Sequence, residues 1–321
     1  MAHELASSKD MAYVGETPWH GLGSKLQPNQ PIEVWQRQSG ISFEIKEAPV
    51  RFISGEAGSL GEIHSFADNK VLYRSDTKAP LSVVSSRFRV VQPKEILEFY
   101  RDLTEISGYQ LETAGVLKGG KKIWALAKTG QAAKLKGNDE INGYVLLATA
   151  CDGTLATTAQ MTSIRVVCNN TLAIALKNGT GTIKVPHSTS FNPQAVKQQL
   201  GIAVSNWDEF IYRMKMLSER KVKSNEAMAY FLSVFADPSN GANSTNESAM
   251  KKVQALYDGK GKGSELASSR GTAFGLINAV TEYVDHQRRS KSEDHRMDSA
   301  LFGVGGAIKQ RAYEQAMLLT A

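Results

Sequence analysis

Cysteine is scarce in this chain: Cys151 and Cys168 are its two examples in 321 residues. Two cysteines cannot frame a disulfide scaffold or supply a zinc site alone, so a reducing bacterial cytoplasm is the expected setting. No run of about 18 apolar residues occurs, which argues against a membrane-spanning helix. The opening MAHELASSKD lacks the basic-then-apolar layout of a secretion signal. The six histidines are scattered, with no pair at the i, i+4 spacing of a helical metal site. Gly259-Lys260-Gly261-Lys262-Gly263-Ser264 is glycine-rich, but it lacks the Gly-x4-Gly-Lys-Ser/Thr spacing with which backbone amides wrap phosphates. There is no Gly-x-Ser-x-Gly elbow and no cysteine in a reactive context. The expectation is a protein without cofactor or metal, and not an enzyme.

What is present is an ordinary globular composition, 41% hydrophobic and 22% charged, with a net charge of +6. That charge is unevenly placed. Residues 113 to 207 hold ten basic and three acidic residues, a net +7 that leaves the rest of the chain at −1. A segregated basic segment is the footprint expected of a phosphate-backbone binder, although a solvated lysine-rich face has the same composition.

The patterning predicts an α+β fold: an antiparallel β-meander with hairpins packed on helices, followed by a helical C-terminal region. A short helix is expected at 31–38, strands from 43 to 76 with a turn at Asp68-Asn69, and a strand at 81–84. Pro93 should open a helix to about Ile106, with Ile96, Leu97, Tyr100 and Leu103 on one face. Residues 109–128 read as a hairpin turning at Gly119-Gly120, which pairs Val116 with Ile123, Ala114 with Ala125, Gly115 with Trp124 and Leu117 with Lys122. A second hairpin at 144–161 turns at Asp152-Gly153. Ile164–Lys177 reads as a helix capped by Thr162 or Ser163, followed by a strand at 180–186. Apolar residues from Val196 to Leu217 recur every three or four positions, predicting a long amphipathic helix over 193–217 that needs a partner within the chain or on another subunit. Further helices are expected at 246–257, 266–286 and 297–319. The expected division is a mixed core over 1–190 and a mainly helical part over 191–321, with a linker at 237–247.

Three local features carry a nucleic-acid reading. In the first hairpin, Lys118, Lys121, Lys122 and Lys128 would track phosphate while Trp124 stacks a base; alternatively Trp124 simply covers Gly115. Arg87-Phe88-Arg89 sets two arginines around an aromatic ring. Arg165, at a predicted helix N-terminus with Asn169-Asn170 behind it, is poorly placed for the helix dipole, which suits an anion partner or an internal ion pair.

Several blocks carry a family resemblance: Met1-Ala2-His3-Glu4-Leu5, Thr17-Pro18-Trp19-His20-Gly21-Leu22-Gly23, Ser85 to Pro93, Met161 to Leu172, and Asn278 to Tyr283. Together they resemble the phage/plasmid-like protein family built on a domain of unknown function. A more distant similarity is to phage single-strand annealing proteins such as Red-beta and Erf. What that similarity implies is binding of single-stranded DNA, oligomerisation, ATP-independent pairing of complementary strands in recombination, and work beside a single-strand-binding protein. The runner-up is a non-enzymatic structural or interaction protein of a mobile element.

Overall fold

Proline and glycine punctuate the helices where the pattern places them. In the computed structural model, which describes residues 10–15, 23–55, 61–165, 167, 170–173, 182–204, 207–235 and 247–320, helix α1 (Ile32–Gln38) follows Pro31. Helix α2 (Pro93–Ser107) has Pro93 in its first turn and ends at Gly108, whose φ of 68° is in the left-handed region. Glu95 accepts the Gln92 N–H at 2.6 Å, closing the first turn. Ile96, Leu97, Phe99 and Tyr100 are buried.

The strands form two sheets. Strands β1 (Met11–Val14), β2 (Ser24–Leu26), β6 (Gln110–Leu117), β7 (Lys122–Leu135), β8 (Asp139–Ala150), β9 (Thr157–Arg165) and β10 (Asn170–Ala173) are ordered β10-β9-β8-β7-β6-β1-β2, and β11 (Thr182–Val185) also pairs with β9. Every pairing is antiparallel except β1 with β2. The second sheet contains β3 (Ile45–Ser54), β4 (Glu62–Arg74) and β5 (Pro80–Ser85). Helices α3 (Pro193–Val204), α4 (Trp207–Glu219), α5 (Ser224–Phe235), α6 (Glu247–Ala255), α7 (Ala273–Glu282), α8 (Glu293–Phe302) and α9 (Val304–Leu318) follow. The fold is thus α+β, with an antiparallel-rich sheet, a smaller sheet and a helical C-terminal region.

The β6–β7 hairpin has the expected register, with Val116 opposite Ile123 and Gly115 opposite Trp124. Its turn is wider than two residues: Lys118, Gly119 and Gly120 all take positive φ, of 53°, 68° and 101°. At Gly115 a Cβ would lie 2.7 Å from the Asp10 carbonyl oxygen, so glycine lets β1 close on β6. The turn at Asp152-Gly153 is present, with the Asp152 carboxylate accepting the Thr154 N–H at 3.0 Å.

Four expectations are corrected. Asp68-Asn69 is not a turn: it lies inside β4, at a bulge opposite Pro49 and Val50, because Pro49 has no N–H to give the ladder. The predicted helix from Ile164 is strand instead. β9 continues through Arg165, and β10 folds back on it with Asn170 opposite Arg165 and Thr171 opposite Ile164. The hydroxyls of Thr162 and Ser163, read as caps, donate to the Leu172 carbonyl at 3.0 and 3.2 Å. β-branched residues and pairing with β8 outweigh the helical spacing there; residues 174–181 lie outside the described ones, as do residues 237–246 of the expected linker. The 193–217 stripe belongs to α3 and α4, and Val196, Leu200, Phe210, Met214 and Leu217 bury within this chain. Among the C-terminal helices, the one expected over 246–257 is present as α6 and a π-helical turn to Lys260. The one expected over 266–286 starts only at Ala273, as α7, and the one expected over 297–319 is split at Gly303 into α8 and α9, while α5 was not foreseen.

One hydrophobic core includes residues from Ala12 to Ala316 and covers one face of the large sheet, with α2 and α4 against β7 and α3 against β9. A smaller cluster on the other face, containing Leu117, Trp124 and Leu146, is covered by Met297, Leu301 and Phe302 of α8. Tyr100 locks α2 to the sheet: its hydroxyl lies 2.8 Å from the Ala125 carbonyl and 3.1 Å from that of Val145. Tyr100→Phe should leave these carbonyls underpaired and lower unfolding free energy by about 1–2 kcal/mol, read as a lower urea midpoint at unchanged slope.

Candidate nucleic-acid interface

Arg165 is interior. Its side chain is 4% exposed and faces Asp139, which is fully buried. The guanidinium donates to both carboxylate oxygens (2.8, 2.9 and 2.6 Å), to the Gly263 carbonyl (3.0 Å) and to the Ser269 hydroxyl (2.8 Å). Ser268 donates a further bond to Asp139 at 2.6 Å. The neighbouring residues of the same block reach the C-terminal helices. The Asn170 side-chain amide donates to the Asn278 carbonyl at 3.3 Å, and Thr171 donates from its N–H and hydroxyl to Asp285, which also holds buried Lys309 at 2.7 Å. This is a structural joint between the sheet and the helical region. Arg165 is therefore corrected from a phosphate contact to an internal ion pair; Asn169 lies outside the described residues.

The hairpin lysines are also engaged. Lys118 bonds to Asp298 of α8 at 2.5 Å, and Lys122 pairs with the same carboxylate and lies over the Phe302 ring at 5.1 Å. Lys122 and Trp124 are 3% and 2% exposed. Trp124 opposes Gly115 beneath α8, so its ring has no face for a nucleotide base. Burial works against the charge of Asp298, yet Lys118 and Lys122 hold its carboxyl below the usual value.

The remaining expected residues divide between the two ends of the sheet. Arg87 and Arg89 are exposed, while Phe88 stacks on His187 with ring centroids 4.3 Å apart. The His187 carbonyl accepts the Arg89 N–H at 2.6 Å, and its ring bonds the Leu155 carbonyl at 3.0 Å. The Cys151 N–H donates to the Lys121 carbonyl, and the Ser82 hydroxyl to the Cys151 carbonyl. These links gather Arg87, Arg89 and Lys121 at the turn end of the large sheet. Lys128 stands at the other end of the hairpin, opposite Gln110 and Tyr144. No single trough therefore holds all the expected cations.

The neutralising carboxylates were not singled out from the sequence. Asp139 left a signal, being one of three acids in the basic segment. Asp298, about 180 positions from the hairpin, left none. Among the described residues no group of three or more histidine, cysteine, aspartate or glutamate side chains could hold a metal ion. Burial pushes the Cys151 thiol up to about 12, far from nucleophilic range. No described helix is long and apolar enough to cross a membrane.

The architecture is a mixed antiparallel sheet covered by helices on both faces and joined to its C-terminal helices through buried charge. Residues 80–301 match the family model for a domain of unknown function, DUF932, and the chain belongs to that family. No curated protein matches it.

Two outcomes follow from the buried pairs. Arg165→Ala should strand the Asp139 charge and cost about 3–5 kcal/mol in urea unfolding, whereas combining Arg165→Met with Asp139→Leu should recover much of it. Asp298 is held below its unfolded value of about 3.9, so its contribution is complete above that pH and is lost as pH falls through the folded value. Acid titration of stability should fall more steeply for the wild type than for Asp298→Asn.

Proposed function

We propose that this protein is a non-enzymatic, single-stranded DNA-binding protein of a phage or plasmid, acting in the bacterial cytoplasm and pairing complementary strands in recombination without ATP. The observation that carries the reading is the turn end of the large sheet. There Arg87 and Arg89 of one segment stand at the same end as Lys121 of another, and none has an ion-pair partner among the described residues. Their guanidinium and ammonium groups suit phosphate oxygens, which give affinity without sequence preference. Arg165, Lys118, Lys122 and Trp124 take no part in it.

A second reading, an interaction protein of the same mobile element, is favoured by the β3–β4 arm. Phe52 and Phe66 are 50% and 48% exposed on one face of the arm, and the facing pair Ile53 and Ile63 are 70% and 68% exposed on the other, apolar surface of the kind that partners cover. In the DNA-binding reading the same arm serves self-association, and a single-strand-binding protein is a further partner.

Anisotropy with labelled single strands tests the proposal. Three phosphate contacts give a slope of log K against log salt of about −2. Changing Arg87, Arg89 and Lys121 to Glu should abolish binding to all sequences alike, and the wild type should accelerate annealing of complementary strands. Binding that ignores salt or survives the triple change overturns it; oligomers in light scattering without any DNA binding select the second reading.

A further inference from the structure

At the end of the hairpin away from Arg87 and Lys121, a cleft of about 480 Å³ opens between α1, the C-terminal turn of α2 and the first residues of β6. Its size is that of a small-molecule site. Two irregularities of the sheet meet there. Glu112 is an extra residue in β6, since Leu111 opposes Ala127 and Thr113 opposes Leu126. In β7 the ladder breaks again just after Lys128, between the Lys128–Tyr144 and Ala132–Asn142 pairs. Bulges re-aim side chains and concentrate beside functional sites.

The re-aimed carboxylate is well supported. The Tyr144 hydroxyl donates to Glu112 Oε2 at 2.9 Å, across the intervening strand. Burial pushes the Glu112 carboxyl up, while that hydrogen bond and the nearby Lys128 charge draw it down. The Lys128 side chain lines the cleft, and its ammonium donates no hydrogen bond to any described residue. Glu105 lines it too and is exposed. Arg101 is already taken, held between Glu98 and Glu33 at 2.6 and 2.7 Å. The remaining wall includes Pro28, Pro31, Ile32 and Leu111, which are apolar.

We propose that this cleft binds a small zwitterion of the α-amino-acid type with an apolar side chain. Its carboxylate pairs with Lys128, its ammonium with Glu112 and Glu105, and its side chain lies against the proline-rich wall. A purely anionic ligand would meet the two carboxylates unpaired, and a purely cationic one would meet Lys128. A ligand carrying both charges satisfies each group, which is what a partly desolvated site requires. The inference is independent of the DNA-binding reading, because it uses another end of the sheet and another ligand.

Calorimetry and thermal shift on the full chain, with leucine, leucinamide and N-acetylleucine as probes, test it. Leucine should bind and raise Tm, and each derivative, lacking one charge, should bind at least about tenfold more weakly. Lys128→Met should erase the advantage of leucine over leucinamide. Glu112→Gln should erase its advantage over N-acetylleucine. If leucine and phenylalanine both fail to bind the wild type, or the three leucine probes bind alike, the proposal is overturned. That comparison needs no variant, so it stands even where a substitution weakens the fold. DNA binding measured on the same preparation reports separately on the turn end.

Discussion

The interior pairing of Arg165 with Asp139 is the interaction on which the rest of the architecture depends. Asp139 is fully buried and Arg165 nearly so, and each is tolerable only because the other is present and because Ser268, Ser269 and the Gly263 carbonyl supply further hydrogen-bond partners. The groups come from β8, β9 and the turns before α7. The pair itself joins neighbouring strands, but its full set of hydrogen bonds is complete only when the sheet and the C-terminal helical region have met in one relative position. Asn170 on Asn278 and Thr171 on Asp285 extend the same joint along β10. A hydrophobic contact would permit sliding, whereas hydrogen-bonded buried charge specifies register, and that is the role of this block.

The same logic governs the second face of the sheet. Lys118 and Lys122 hold α8 through a single carboxylate, and Met297, Leu301 and Phe302 cover Trp124 and its neighbours. Cation and aromatic ring, which together suggest a nucleic-acid platform, are here the fastening of a covering helix. Net charge counts these lysines as available, but the surface does not present them. The cations outside these pairs are separated: exposed Arg87 and Arg89 with half-buried Lys121 at the turn end, and half-buried Lys128 in the cleft at the other. The two ends differ in chemistry: cations stand alone at the first, whereas at the second a cation lies beside carboxylates.

Much of the local structure was legible from residues close in the chain. Pro93 and Gly108 bound α2 because proline suits a first turn and glycine accepts positive φ. The register of β6 on β7 followed from the glycines of the turn, because a hairpin is closed by its own loop. The same local reasoning failed where a longer-range pairing competed. Ile164 to Ala173 has helical spacing, yet β8 supplies a ladder for β9 that no isolated window contains. Asp68-Asn69 has turn chemistry, yet Pro49 on the facing strand makes it a bulge.

The sequence by itself determined the fold class, the hairpin register and the concentration of positive charge in the middle of the chain, because composition and short-range backbone preference suffice for these. Only the tertiary structure decided which of those charges are free. Asp139 lies 26 positions from Arg165, and Asp298 lies 180 and 176 positions from Lys118 and Lys122. Neutralisation acts through a few ångströms of space, and spacing along the chain does not record which distant carboxylate folding will bring there.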